Sequence, residues 1–237
     1  MNLTVAGLTA RALLGRRRLL LLLPMPLLLV GLTLIGVATS DDARAWAPGV
    51  LGSLGLGVIL PLTALIVGSS VLGLEIEDGT ITHILAKPLP RSEIIVAKLV
   101  VAWLVTTAAT AVPLAIAGAI TEGGSLAIGL FLGALVGGLA YTAFFLALSL
   151  MSRRPVAIGL VYIMLWENLL VTFVSGARAL SIQQYALTFA DRLSGSDLLT
   201  SNLAPLTAAI LAAAFIALGT VLATARLRSF ALTGETS

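Results

Sequence analysis

Residues 16–38 read RRRLLLLLPMPLLLVGLTLIGVA, three arginines followed by twenty residues without a charge. A helix of about 20 apolar residues, rising 1.5 Å per residue, crosses the hydrocarbon core of a bilayer. A cleaved secretory signal has a shorter apolar core, of about 7–15 residues. We therefore expect residues 19–38 to form a membrane-spanning helix with the arginines at the cytoplasmic surface.

The rest of the chain has the same apolar character. Of its 237 residues, 59% are hydrophobic and 11% are Asp, Glu, Lys or Arg. Soluble domains are roughly 45–50% apolar and about 25% charged, and a disordered chain needs low hydrophobicity with high charge. The composition therefore excludes an ordinary soluble enzyme and a disordered protein, and it indicates a membrane protein.

Six apolar runs are long enough to cross a bilayer as helices. They cover residues 19–38, about 50–74, 94–119, 126–151, 156–174 and 203–225. We predict an all-α polytopic membrane protein in which residues 19–237 form a single domain of six transmembrane helices. Little chain is left for a separate catalytic domain.

The basic residues predict the orientation of these helices, because lysine and arginine collect in cytoplasmic loops. With the amino terminus inside, three of the 14 basic residues (Arg44, Arg178 and Arg192) fall in outer loops, and the other eleven face the cytoplasm. We predict a multi-pass protein of the plasma (inner) membrane with both termini in the cytoplasm.

The segment before the first span, residues 1–18, ends in three arginines and places Leu3, Ala6, Ala10 and Leu13 near one helical face. Such a segment can lie along the membrane, held by apolar burial and by attraction to anionic lipids. We predict a cytoplasmic amphipathic surface helix. The alternative is a tail that carries only the topology signal.

The most structured loop follows the second span, at residues 75–93, with the sequence EIEDGTITHILAKPLPRSE. Asp78 is placed to cap a short helix, and the first proline after it is placed to end that helix. Ile81, Ile84 and Leu85 give the helix a small apolar face. This face docks on a partner protein or rests on lipid headgroups; the residues alone leave both open.

Glu167 is the acidic residue that lies deep in a predicted span, the fifth. A carboxylate at such a position is costly and by default suggests function. It could relay protons, contact a substrate, or serve as a structural partner bonded to a neighbouring helix end. Asn168 and Thr172 are close to it on the same helix, so a local polar cluster is expected.

The fourth span carries Gly129, Gly133 and Gly137 at a spacing that places all three on one helical face. Small residues at this spacing let two helices approach closely. The face could pack within the chain or form a seam with a second copy. Further along, residues 175–202 form the longest outer loop, in which residues 181–187 predict a short amphipathic surface helix.

The loop and the topology together resemble the type 2 ATP-binding-cassette (ABC) transporter permeases. The resemblance is carried by GLEIEDGT at 73–80, by AKPLPR at 86–91 and by Lys98. A second likeness covers LWE at 165–167 and LSIQQY at 180–185. Together with the six-helix topology, the resemblance covers essentially the whole chain.

The resemblance implies that the short helix is a coupling helix seated in a groove of a separate ABC ATPase subunit. The docking residues that it implies are Glu75, Glu77, Asp78, Gly79, Thr80, Ile81, His83, Ile84, Leu85 and Arg91. ATP and Mg²⁺ are then expected on the ATPase, with no cofactor in this chain. Two copies, identical or paralogous, are expected to form the path of an exporter surrounded by lipid, and the outer helix is expected to close over its exit.

The chain carries few groups for chemistry of its own. It has no cysteine and one histidine, so we expect no metal site, and it lacks a Gly-x-x-x-x-Gly-Lys-Ser/Thr phosphate loop. Its scattered basic residues predict no nucleic-acid partner. An intramembrane enzyme would need paired carboxylates, a metal or an activated nucleophile. The alternative function is an ion-coupled secondary transporter that uses Glu167.

Overall fold

A computed structural model of the chain describes residues 22–77, 90–173 and 175–233, together with Gly7 and Thr9. The regular elements in these ranges are helices, and none of the described residues forms a strand. The predicted all-helical class is confirmed. The surface helix predicted at residues 1–18 and the centre of the coupling loop lie outside the described residues, and both stay predictions.

The helices follow one another with short connections. In chain order they are α1 (Pro24–Thr39), α2 (Ala43–Ala47), the π-helix π1 (Pro48–Ile59), α3 (Leu60–Glu77), α4 (Arg91–Thr121), α5 (Gly124–Met151), α6 (Pro155–Val161), the π-helix π2 (Tyr162–Leu170), α7 (Val171–Phe173), a 3-10 helix (Ser175–Leu180), α8 (Ile182–Ser194) and α9 (Pro205–Thr233).

Four helical stretches are long and apolar enough to cross a membrane. They are Ala43–Val71, Arg91–Thr121, Gly124–Met151 and Pro205–Ser229. Two shorter apolar helices, Pro24–Thr39 and Pro155–Leu169, stand where the first and fifth spans are predicted. The described residues thus support a polytopic helical protein with four full-length crossings, and the count of six stays a prediction.

Prolines mark where both shorter helices begin. Pro24 is the first residue of α1 and Pro155 the first residue of α6. Proline suits the first turn of a helix, where no backbone N–H is needed for an intrahelical bond. α1 has 16 residues, which rise about 24 Å, less than the roughly 30 Å of a hydrocarbon core.

The second crossing begins earlier than predicted, at Ala43 rather than near Val50. The carboxylate of Asp42 accepts a hydrogen bond of 3.0 Å from the backbone N–H of Arg44, which caps α2. The helix then continues through π1 into α3. A polar cap that lies outside the apolar run therefore sets this boundary.

The two ends of the bundle are defined here by their turns. The α4–α5 turn contains Gly123, whose φ of +105° lies in a region that favours glycine because a side chain would clash. The α5–α6 turn begins at Ser152. We call these the Gly123 end and the Ser152 end of the bundle.

α5 lies at the centre of the bundle and packs against α3, α4, α8 and α9. Glycines allow close approach on three of these sides. A β-carbon added at Gly68 of α3, Gly118 of α4 or Gly219 of α9 would lie 3.1, 3.0 or 2.8 Å from an atom of α5. Close approach of backbones gains dispersion contacts where the hydrophobic effect is weak, as it is between helices in lipid.

The helices around α5 turn large apolar side chains outward. Leu27 of α1, Phe173 of α7 and Leu206 of α9 are 69%, 78% and 73% exposed. Exposed apolar side chains in such number mark contact with lipid or with another protein. It is the surface expected of a protein embedded in a bilayer.

α8 lies alongside α5 instead of on top of the bundle as a surface helix. A β-carbon at Gly129 would lie 2.7 Å from the β-carbon of Ser194, and one at Gly137 would lie 2.7 Å from the β-carbon of Ala186. Since Gly137 is about 20 Å along α5 from the Gly123 end, α8 extends deep into the bundle. Small residues on both helices permit this contact, which no single segment of sequence reveals.

Candidate functional site

The carboxyl group of Glu167 lies on π2 and is 2% exposed. Its Oε1 accepts hydrogen bonds from the hydroxyl of Tyr162 and from the backbone N–H of Ile182, both at 3.0 Å. Its Oε2 accepts a hydrogen bond from the hydroxyl of Ser181. Both oxygens of this buried acid are therefore satisfied by donors of the same chain.

Two of these three donors belong to the start of α8. Ser181 is its N-cap and also accepts the backbone N–H of Gln184 at 3.3 Å. The first N–H groups of a helix lack intrahelical partners and carry partial positive charge, which an acidic side chain stabilises by roughly 0.3–1 kcal/mol at exposed sites. Glu167 therefore joins π2 to the N-terminus of α8.

These contacts bear on the roles proposed for Glu167 from the sequence. Its partners Ser181 and Ile182 lie at the N-terminus of α8, as expected for a structural acid bonded to a neighbouring helix end. Asn168, expected beside it in a polar cluster, donates to the backbone oxygen of Ile163 at 2.8 Å and lines a polar cavity together with Glu167. A proton-relay or substrate role for Glu167 stays a prediction.

Aromatic side chains join α5 to π2, the helix that carries this acid. The rings of Phe144 and Tyr162 are 4.6 Å apart between centroids, and Tyr141 stacks on Phe145 at 5.9 Å. The buried hydroxyl of Tyr141 interacts electrostatically with Glu167 but has no partner within hydrogen-bond geometry among the described residues. On this side, the helix that carries the acid is held to α5 by aromatic packing.

Removing the carboxylate of Glu167 is expected to destabilise the protein. Glu167→Ala leaves two buried donors, the Ser181 hydroxyl and the Ile182 N–H, without an acceptor, at about 1–3 kcal/mol each, and frees the part-buried hydroxyl of Tyr162. Glu167→Gln keeps one carbonyl oxygen and should lose less. The thermal unfolding midpoint of the purified protein should therefore fall in the order wild type, Gln, Ala. Asp41→Ala, at an exposed carboxylate, is the control, and an alanine variant as stable as wild type would contradict this role.

The three glycines of α5 all face α8. A β-carbon at Gly133 would contact the carbonyl oxygen of Ala186 and lie 2.9 Å from the β-carbon of Ala190. The same face of α8 contacts Gly129 and Gly137. The sequence left open whether this glycine face packs within the chain or against a second copy. The described contacts, which are with α8, are packing within the chain.

A polar cavity of about 320 Å³ lies beside Glu167. Its walls come from π1, π2, the 3-10 helix, α8 and the segment before α9. Its lining includes four residues with side-chain amides, Asn168, Gln183, Gln184 and Asn202, and two with hydroxyls, Ser53 and Thr200. Arg178 is the basic residue of the lining, and its Nε donates to the backbone oxygen of Val171 at 3.3 Å.

The sequence prediction missed this cavity, although a signal for it exists. The whole chain contains five asparagines and glutamines, and four of them line the cavity. All four fall between residues 168 and 202. A cluster of amides in an otherwise apolar chain could have indicated a polar site.

Polar contacts hold the Gly123 end together around α8. The carboxylate of Asp191 accepts the backbone N–H of Ser201 at 3.0 Å, and Glu122 accepts the hydroxyl of Ser196. Arg44 and Asp197 form an ion pair at 3.1 Å with 72% and 84% of their side chains exposed, so it contributes little to stability. Together these contacts fix the segment that carries Thr200 and Asn202.

Most of the predicted docking residues lie outside the described part of the chain. These are Asp78, Gly79, Thr80, Ile81, His83, Ile84 and Leu85. Glu75 and Glu77 lie in the last turn of α3, and Arg91 is the first residue of α4. Lys98, fully buried, donates from Nζ to the backbone oxygen of Val71 at 3.2 Å. The helices that carry the two ends of the loop are therefore bonded to each other.

The sequence model of a family described as "ABC-2 family transporter protein" matches residues 38–191, well over half of the chain. The chain belongs to this family. Members of the ABC-2 family are membrane permease components of ABC transporters and are not themselves catalytic. The family predicted from the coupling loop is therefore confirmed, as is a multi-pass membrane protein.

The ABC-2 match runs from the end of α1 into α8. It includes the coupling loop, the three glycines of α5 and Glu167, whereas α9 and Asn202 lie beyond it. Among proteins with curated descriptions, none matches the chain. Family membership thus assigns the chain to a transporter but leaves its substrate open.

Proposed function

We propose that this chain is the membrane-spanning permease subunit of an ATP-driven exporter. Two copies, identical or paralogous, form the translocation path, and a separate ATPase that holds ATP and Mg²⁺ docks on the loop at residues 75–93. The ABC-2 family match over residues 38–191 carries this proposal, because it contains that loop and both helices that flank it.

The position of the loop suits mechanical coupling. It joins α3 to α4, two long helices that both pack on the central α5. The bond between Lys98 and Val71 lies close to the loop and ties α3 to α4. A displacement imposed on the loop by a closing ATPase would then move packed helices as rigid bodies, which is a common route for such transitions.

The proposed topology has six crossings with both termini in the cytoplasm of the plasma (inner) membrane. Arg44, Arg178 and Arg192 lie on the side of the Gly123 end, which we assign to the outside. Of the other basic residues, those in the described segments lie toward the Ser152 end: Arg91, Lys98, Arg153, Arg154, Arg226 and Arg228. This asymmetry is the one expected from the positive-inside rule. α1 and the helix at Pro155–Leu169 supply the first and fifth crossings.

Contact with a second copy is supported by the outward apolar faces. α1, α7 and α9 expose leucine, isoleucine and phenylalanine side chains that the single chain does not cover. Lipid covers part of this surface, and a partner permease would cover another part. A surface of this kind fits both contacts.

An ion-coupled secondary transporter is less well supported. Such a transporter needs ionisable groups at the membrane midplane that can bind an ion or exchange a proton. Both oxygens of Glu167 accept hydrogen bonds from Tyr162, Ser181 and Ile182. An acid engaged in this way has little capacity left to coordinate an ion.

Reconstitution with an ATPase tests the proposal. We expect the chain to co-purify with a phosphate-loop ATPase encoded beside it and to raise its rate of ATP hydrolysis in proteoliposomes. The measurement is phosphate release with and without the chain, with a water-soluble ATPase unrelated to ABC transporters as the control enzyme. Neither co-purification nor a change in turnover would reject the docking model.

A further inference from the structure

The cavity beside Glu167 has a lining that neither family membership nor ATPase docking explains. Four of the five asparagines and glutamines of the chain meet there, drawn from π2, α8 and the segment before α9. The backbone N–H of Gln184 donates to the hydroxyl of Ser181 at the start of α8, and its carbonyl oxygen accepts the hydroxyl of Thr188. The side-chain amide of Gln184 is therefore not needed to cap the helix. The Asn168 amide is engaged within π2, where it donates to the backbone oxygen of Ile163 at 2.8 Å. Gln184 and Asn202 contribute the other polar lining on which the argument rests.

The chemistry of this lining is neutral and serves both donors and acceptors. Each amide offers an oxygen and an NH₂ group, and each hydroxyl both donates and accepts. The lining has one basic and one acidic residue, Arg178 and Glu167, and the acid is already engaged by three donors. Such a surface matches a ligand that presents several hydroxyl groups better than it matches an ion or a hydrocarbon.

The size and depth of the cavity favour the polar part of a larger molecule. Its volume of about 320 Å³ is at the lower end of the range for ligand sites. Ser53 lies ten residues after Ala43, which places it about 15 Å along the helix from the Gly123 end. Leu169 and Phe173, close in the chain to the lining residues Asn168 and Val171, are 50% and 78% exposed and offer apolar surface for the tail of an amphiphile.

We propose that this cavity binds a neutral, hydroxyl-rich group. The group is the glycosyl head of an amphiphile in the membrane or a saccharide that enters from water, and both sources present the same chemistry. Binding is a property of the chain alone, so it can be measured without an ATPase. A failure to detect sugar binding would leave the ATPase-docking model untouched.

Two binding measurements separate these sources. In the first, the protein is reconstituted in phosphatidylcholine nanodiscs that contain equal minor amounts of glucosyl diacylglycerol and phosphatidylglycerol, and lipids retained after extraction are counted by native mass spectrometry. In the second, maltose is titrated into phosphatidylcholine nanodiscs and followed by tryptophan fluorescence. Enrichment of the glycolipid indicates a membrane source, and binding of maltose indicates a soluble one.

The variant that tests the lining is Gln184→Leu combined with Asn202→Leu. It removes two amides at nearly constant volume, and since one hydrogen bond corresponds to about a fivefold change in affinity, we expect a loss of at least about tenfold. Asn2→Leu makes the same chemical change at the fifth amide and should bind like wild type. Thr200→Val, at an exposed position, is a milder variant if the double variant does not fold.

The outcomes decide the proposal. Retention of the glycolipid or binding of maltose that falls in the lining variants and not in Asn2→Leu supports it. Three results would overturn it. The first is neither retention of the glycolipid nor binding of maltose, and the second is binding that is unchanged in folded lining variants. The third is a preference for phosphatidylglycerol that Arg178→Gln abolishes. The last result would assign the cavity to an anionic group instead.

Discussion

Aspartate at both Ile81 and Ile84 is expected to abolish stimulation of the ATPase by the chain, lowering it at least tenfold. Together with Leu85, these isoleucines form the predicted apolar face of the short helix between α3 and α4. A charge placed in an apolar contact without a partner costs several kcal/mol. About 1.4 kcal/mol already corresponds to a tenfold change in binding.

The measurement compares ATP hydrolysis and co-purification for the double variant and for Thr82→Asp. The control adds one acidic side chain to the same short helix but away from its apolar face. Normal insertion and thermal unfolding of the double variant would show that the bundle itself is intact. If the double variant still recruits and stimulates the ATPase, the apolar face is not the docking surface.

Leucine at Gly133 is expected to separate α8 from α5 and to produce the largest loss of stability in the bundle. At this position even a β-carbon would contact the carbonyl oxygen of Ala186 and lie 2.9 Å from the β-carbon of Ala190. Both of these neighbours belong to α8, and its backbone has no side-chain flexibility with which to retreat. Overpacking of a tight core typically costs about 1–3 kcal/mol and sometimes more.

The expected fall in Tm is about 6–12 °C, because roughly 3 kcal/mol shifts a protein of this length by 2–4 °C per kcal/mol. Gly31→Leu is the matched control, since a β-carbon at Gly31 of α1 has no neighbour within 4 Å. It should match or slightly exceed wild type, because glycine disfavours the helix interior. Equal stability of the two leucine variants would show that the contact between α5 and α8 is not tight.

The sequence predicted the features that depend on local pattern. Long apolar runs located the four full-length crossings, and the acidic-Gly-Thr segment with the prolines after it predicted the family. The boundary of the second crossing was less accurate, because a single polar residue sets it. Asp42 starts this crossing ahead of its apolar run.

The features that the sequence could not predict depend on contacts between distant segments. Glu167 stood out as an acid in an apolar run, but its partners Ser181 and Ile182 follow 14 and 15 residues later, with no periodicity that links them. Likewise, the glycines of α5 and the small residues of α8 were each visible separately. Only the three-dimensional structure shows that they face each other and that α8 lies alongside α5.

The bonds from Glu167 to Ser181 and Ile182 have a consequence for how this fold can vary. They close the chain between residues 167 and 182 into a loop whose base is fixed to π2 and α8. The entropy cost of closing a loop grows only slowly with its length, about 0.6 kcal/mol for each doubling. Substitutions and insertions between Asn168 and Leu180 can therefore reshape one wall of the cavity while the framework stays constant. In this protein, the part that selects a ligand can diverge independently of the part that holds the bundle together.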